Sequence, residues 1–200
     1  MSETPRLPAI RRRQFLVASG AASLIALTGC DTTSGASTAE ASSAKRREID
    51  AGVEETLARL YAETPGSREL LQKAQGMLVF PKVLAAGIGI GGEYGEGALR
   101  SGGRTVGYYK TTTGSLGLQL GAQSKAIIIA FMTLQAYQQF RTSDGWTVGT
   151  DAGVALLKTG ANGRLDTSTA TSPVVAFVLT NAGLIFNLSI EGTKVSKLET

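Results

Sequence analysis

The chain has no histidine, and its only cysteine is Cys30. These gaps close several routes. Ser-His-Asp and Cys-His catalysis both need an imidazole base, and the common zinc sites need His or Cys ligands. No internal disulfide can form, so the fold must rest on its core. A reaction here would have to run on carboxylates, hydroxyls or amines. Charged residues are also modest, at 18%, while 42% of residues are hydrophobic, which fits a globular chain rather than a disordered one. Glycine is the residue in excess: 25 of 200, against a usual ~7%. The glycines lie within the apolar part of the chain, a pattern of strands and tight turns with close backbone contacts.

Residues 1–29 read as an export signal. Arg11, Arg12 and Arg13 precede a weakly apolar run, "FLVASGAASLIAL", too short to span a membrane as a mature helix. The run ends in "LTGC", Leu27 to Cys30, which resembles the bacterial lipobox. That resemblance implies a lipid anchor on Cys30. An N-terminal anchor helix with a chance cysteine is the plainer alternative. "RRQFL" resembles the twin-arginine motif without its usual flanks, so export by the general pathway stays open. Four arginines against Glu3 give this segment +3 of the chain's +4, leaving +1 on the mature part. The mature charge therefore offers no argument for nucleic acid.

Residues 30–44 are Ser/Thr/Ala-rich without a large apolar side chain and read as a flexible tether. From Lys45 to Tyr61, Ile49, Val53, Leu57, Leu60 and Tyr61 fall at helical spacing, predicting an amphipathic helix. A second helix is expected over Ser67 to Gln75, with Ser67 as N-cap and Leu70, Leu71 and Ala74 inward. Strands are expected at Met77–Pro81, Val83–Gly92, Thr105–Lys110, Ser115–Ser124, Ala126–Met132 and Val148–Lys158. A helix with an apolar side of Leu134, Tyr137 and Phe140 is expected over Thr133–Thr142. Strands broken near Asn181–Gly183 and Glu191–Gly192 complete the chain. Those turn signals make the apolar segment Pro173–Ile190 a hairpin rather than a membrane span.

"GIGIGGEYGEG", Gly87 to Gly97, contains G-x-G-x-x-G. A dinucleotide loop needs a helix opening at the last glycine, to hold the pyrophosphate. Here "EYGEGALR" follows, and no Gly-Lys-Ser/Thr occurs, so the segment predicts no nucleotide and no cofactor. A period of two accounts for it instead. Gly87, Gly89 and Gly91 strip one strand face of side chains, and Gly117 and Gly121 do the same in "SLGLQLGAQS". Glu93 and Glu96 read as solvated turn acids in preference to a catalytic pair.

The blocks "GMLVFPKVLAAGIGIGGEYGEGAL", "VGYYKTTTGSLGLQLGAQS", "FMT" and "GWTVG" resemble the SYLF domain, also called the Ysc84 actin-binding domain, over about residues 45–198. The resemblance implies one α+β domain: N-terminal amphipathic helices packed on a twisted, mostly antiparallel, glycine-rich and partly barrel-like sheet. It also implies binding to phosphoinositide-type membranes, helped by an amphipathic helix. Actin binding transfers poorly, since an exported lipoprotein meets no actin outside a host cytoplasm.

The expectation is therefore a cell-envelope lipoprotein, on the periplasmic side of either membrane, that binds phospholipid and is not an enzyme. Cys30 would carry the anchor, and Lys45, Arg46, Arg47 and Lys82 would contact head groups. No metal site is expected. A protein-interaction module, actin-binding-like or an envelope scaffold, is the alternative from another class.

Overall fold

A computed structural model describes residues 33–88, 90–116, 123–157, 165, 171–181, 183–185 and 190–199. Cys30, Gly89, Gly117 and Gly121 lie outside them. The chain forms α1 (Thr33–Glu63), α2 (Ser67–Leu71), β1 (Gly76–Ile88), β2 (Ile90–Ser101), β3 (Arg104–Leu116) and β4 (Gln123–Phe131). There follow α3 (Leu134–Thr142), β5 (Trp146–Thr147), β6 (Ala155–Leu156), β7 (Val174–Thr180), β8 (Gly183–Ile185) and β9 (Lys194–Lys197). The strands make one sheet in the order β5-β9-β3-β2-β1-β4-β7-β6, with β8 on β7. Every one of these strand pairs is antiparallel except β6 with β7. The sheet curls into a half-barrel, giving the expected α+β architecture.

Both sheet faces are covered, by two separate cores. On one face, Ile49, Val53, Leu57 and Leu60 of α1 pack on Val79, Ala98, Ile128 and Phe177. On the opposite face, Leu78, Phe80, Ile127, Ile129 and Phe131 meet Tyr137 and Phe140 of α3 and Trp146. Phe131 stacks on Phe140 at 4.8 Å, and Trp146 meets Phe140 edge-on at 5.5 Å, offset geometries that aromatic rings favour. Strands β4 and β7 are buried on both sides, which is why they read as unbroken apolar runs. No helix among the described residues is long and apolar enough to cross a membrane.

Several boundaries differ from expectation for identifiable reasons. Helix α1 begins at Thr33, so most of the segment expected as a tether is helical. Alanine at positions 36, 39, 41 and 44 favours a helix. Helix α2 is one short turn. Ser67 lies inside it, donating to Leu60 O, while Gly66 at φ 92° takes the cap position. In α3, Tyr137 and Phe140 are buried but Leu134, in the first turn, is exposed.

Met77–Pro81 and Val83–Ile88 belong to one strand. The β-bulge between Phe80 and Val83 hides the continuity by shifting the alternation by a residue. Pro81 sits in that bulge, where a missing N–H costs no ladder bond. Its ring lies under Gly52 of α1, where an added Cβ would come within 3.0 Å. Val83–Gly92 is not a single strand: the chain reverses between Ile88 and Ile90, and Gly87 faces Gly91 across the hairpin. The expected bare face is thus shared by two strands. Ser115–Ser124 likewise reverses direction, because β3 and β4 run oppositely on either side of the β1–β2 hairpin. Val148–Lys158 is interrupted by a turn at Gly149 (φ 87°), closed by Asp151 accepting from Thr147 N at 2.6 Å.

Candidate functional site

Helix α1 lies across its face of the sheet and leaves the part near the β1–β2 hairpin uncovered. A groove of about 650 Å³ runs between the helix and that uncovered part. Its helical wall carries Glu48, Gly52, Glu55 and Arg59; its sheet wall carries Lys82, Leu84, Tyr94 and Glu96. Cross-strand register fixes the sheet wall, since directly opposed residues share a face. One row runs Ser124–Leu84–Tyr94–Thr112–Lys194, and the next runs Lys82–Glu96–Lys110–Ser196. Leu84 and Tyr94 are 45% and 46% exposed, so two large apolar side chains stand side by side in solvent. Lys82, Lys110 and Lys194 lie on the same face in these two rows.

Glu96 is the acid in this patch, and it is tied down. Lys45 Nζ lies 2.7 Å from its carboxylate, and the Tyr94 hydroxyl donates to it at 2.6 Å. Burial pushes the Glu96 carboxyl up, but the hydrogen bonds from Lys45 and Tyr94 outweigh it and hold the carboxyl below its ordinary value. The same hydrogen bond, together with some burial, pushes the Tyr94 phenol up to about 12.

The four basic residues expected to contact lipid do not form one cluster. Lys45 pairs with Glu96, and Lys82 is the cross-strand neighbour of Glu96. Arg46 leans toward β3, its guanidinium 5.8 Å from the Tyr108 ring centre. Arg47 stays on the exposed side of α1, bonded to Ser43 O. A helix spreads three consecutive residues over three directions, so a run of charge there is not a patch. Lys110, Lys194, Leu84 and Tyr94 were not anticipated; reading alternation through the bulge would have found Leu84, but the partners on β3 and β9 depend on register.

Glu93 and Glu96 are three positions apart on β2 and therefore face opposite sides of the sheet. Glu93 points to the α3 side, where Lys125 Nζ lies 2.8 Å from each carboxylate oxygen. The pair is largely buried, at 13% and 10% exposure. Neither acid is a free turn residue, and the two cannot share a substrate. Nearby on that face Thr113 bonds Thr193, and buried Thr111 Oγ1 has no hydrogen-bond partner among the described residues. No cluster of three or more potential metal ligands occurs among the described residues.

Packing also requires glycine at three further positions. A Cβ on Gly97 would collide with Val79 O and Phe80, and one on Gly95 would lie 2.8 Å from Val83 Cγ2. One on Gly76 would strike the Tyr137 ring. These positions let the twisted hairpin fold tightly on itself and let α3 dock.

A curled sheet with a covering helix, a groove and a lysine-rimmed apolar face defines a binding module. The family model described as "Ysc84: Las17-binding protein actin regulator" matches residues 112–199, from within β3 through β9, so this part of the chain is similar to that family. Helices α1 and α2 and strands β1 and β2 lie outside the matched segment. No curated protein matches the chain.

Proposed function

We propose that this domain docks on a phospholipid membrane through the exposed Leu84–Tyr94 pair and its lysine rim, as part of a Cys30-anchored lipoprotein of the cell envelope. The observation that carries the reading is the side-by-side exposure of Leu84 and Tyr94 on the sheet face that also carries Lys82, Lys110 and Lys194. An aliphatic and an aromatic side chain suit the head-group layer, and lysines suit anionic phosphates. The apolar stripe of α1 is not available for this role, because Ile49, Val53, Leu57 and Leu60 are already buried on the sheet.

The magnitudes fit a reversible contact. Each lysine near an anionic surface contributes ~1 kcal/mol, and each inserted apolar side chain ~1.5–3 kcal/mol. That total is modest once the cost of holding the domain in place is subtracted. A lipid anchor at Cys30 would supply the second signal that stable attachment needs. In the test, a chain starting at Asp31 is co-sedimented with anionic and neutral vesicles at low salt. Binding to the anionic vesicles, lost in Leu84→Ser/Tyr94→Ser, is the expected result. Equal sedimentation of that variant, or none by the parent, would overturn it.

A protein partner on the same patch is the second reading, supported by the matched family's description as an actin regulator that binds Las17. Recovery of one stoichiometric envelope protein, with no vesicle binding, would favour it.

A further inference from the structure

A second cavity, of about 310 Å³, lies between the C-terminal half of α1, the start of β1 and the β2–β3 turn. It is distinct from the groove at the hairpin. Leu57 and Met77 give it an apolar floor; Tyr61, Arg68 and Arg100 give it a polar rim. Arg100 is held in place but incompletely satisfied. Nη1 pairs with Glu54 at 2.5 Å and Nη2 donates to Gly103 O at 2.8 Å, while Nε–H is buried without an acceptor among the described residues. Arg68 lies over the Tyr61 ring, 4.1 Å from its centre. The Tyr61 phenol is raised chiefly by burial, then lowered by Arg68, raised by Glu54 and lowered by Arg100. Tyr61, Arg68 and Arg100 line the same cavity, and the Tyr61 hydroxyl makes no hydrogen bond among the described residues.

We propose that this cavity binds a phosphomonoester, with its dianionic phosphate between Arg68, Arg100 and the Tyr61 hydroxyl and its organic body on Leu57 and Met77. The two guanidiniums and the phenol come from three elements, α2, β2 and α1, and three donors from separate elements suit a tetrahedral group with three terminal oxygens better than a flat carboxylate. Glu54 occupies Arg100 in the empty cavity as a built-in competitor. Its side chain is 64% exposed, so it swings into solvent when the phosphate arrives. The cavity is several times larger than a phosphate alone, leaving room for the body. The proposal does not depend on the membrane contact, which uses the other end of the same sheet face.

The test is a titration of the full chain with inorganic phosphate, followed by amide NMR at Gly102 and Gly103 and by the Arg100 Nε–H signal, at constant ionic strength. Saturable shifts at these groups are expected. Arg68→Gln should weaken binding by ~10-fold, the loss of one charge-assisted contact. Glu54→Gln should tighten it several-fold by removing the competitor, an effect that loss of a merely structural salt bridge would not produce. Shifts that chloride reproduces, or weaker binding in Glu54→Gln, would overturn the proposal. Glycerol phosphate saturating as well as phosphatidic acid vesicles assigns the site to a free phosphomonoester; saturation by those vesicles alone assigns it to a lipid head group.

Discussion

Glu96 shows how one acid on a strand can set the behaviour of its neighbours. Its carboxyl binds a proton less readily in the folded chain than in the unfolded one. The Lys45 and Tyr94 bonds therefore add stability above the ordinary carboxylate range, and that stability fades as pH falls through the folded value. Tyr94 titrates in the opposite sense. Its phenol stays protonated up to about 12 rather than 10.0, so its contribution is complete below the ordinary value and is lost above the raised one. A spectrophotometric titration should show one tyrosine ionising late, and Glu96→Gln should move it back toward 10.0. On the other face, Glu93→Gln leaves Lys125 buried beside a neutral amide. Removing one partner of such a pair costs ~3 kcal/mol, which denaturant unfolding will register. Glycines divide just as sharply. Gly97→Ala should destabilise by about 3 kcal/mol through overpacking, whereas Gly114, with nothing within 4 Å of an added Cβ, should tolerate alanine within ~0.5 kcal/mol. Which glycines matter could not be read from their spacing, because the collisions at Gly95 and Gly97 come from Val83 and Val79 on the partner strand.

Elements were legible where one local signal sufficed. The helical spacing of Ile49, Val53, Leu57 and Leu60 places the buried stripe of α1 correctly, and Asn181–Gly183 marks the β7–β8 turn, with Gly183 at φ 100°. Thr133 caps α3 by accepting from Ala136 N at 3.2 Å, and Thr133→Ala should cost ~1 kcal/mol in thermal or chemical denaturation. Period-two alternation was less informative, because it continues through a hairpin reversal: "GIGIGG" alternates whether the chain runs on or folds back between Ile88 and Ile90. The bulge at Pro81 produced the opposite error, breaking the alternation of a strand that is physically continuous. The lysine-rimmed patch was invisible for a related reason. Lys82, Lys110 and Lys194 belong to three strands, and register alone brings them together.

For the molecule as a whole, local periodicity placed helices ahead of strands, while the α+β class and the partly barrel-like sheet were what the SYLF resemblance implied, and the structure has both. The two-sided core was less apparent, although the unbroken apolar runs of β4 and β7 record it. Leu84 is exposed and outside both cores, so Leu84→Ser should alter binding with little change in melting temperature, whereas Tyr94→Phe should also lose the stability of the bond to Glu96. The length of α1 has a further consequence. From Thr33 to Ile49, where burial begins, the helix spans ~24 Å at ~1.5 Å per residue. A slack linker of that length would let the domain tumble above its attachment point. Under the proposed anchoring at Cys30, a stiff rod would instead convert attachment into orientation: it would act as a lever arm held to the sheet from Lys45 onward, so that a change in tilt at its far end turns the whole sheet. Two glycines introduced near Ala44 would uncouple the two ends, and fluorescence anisotropy of a label at Thr33 would then fall below that of a label on the sheet.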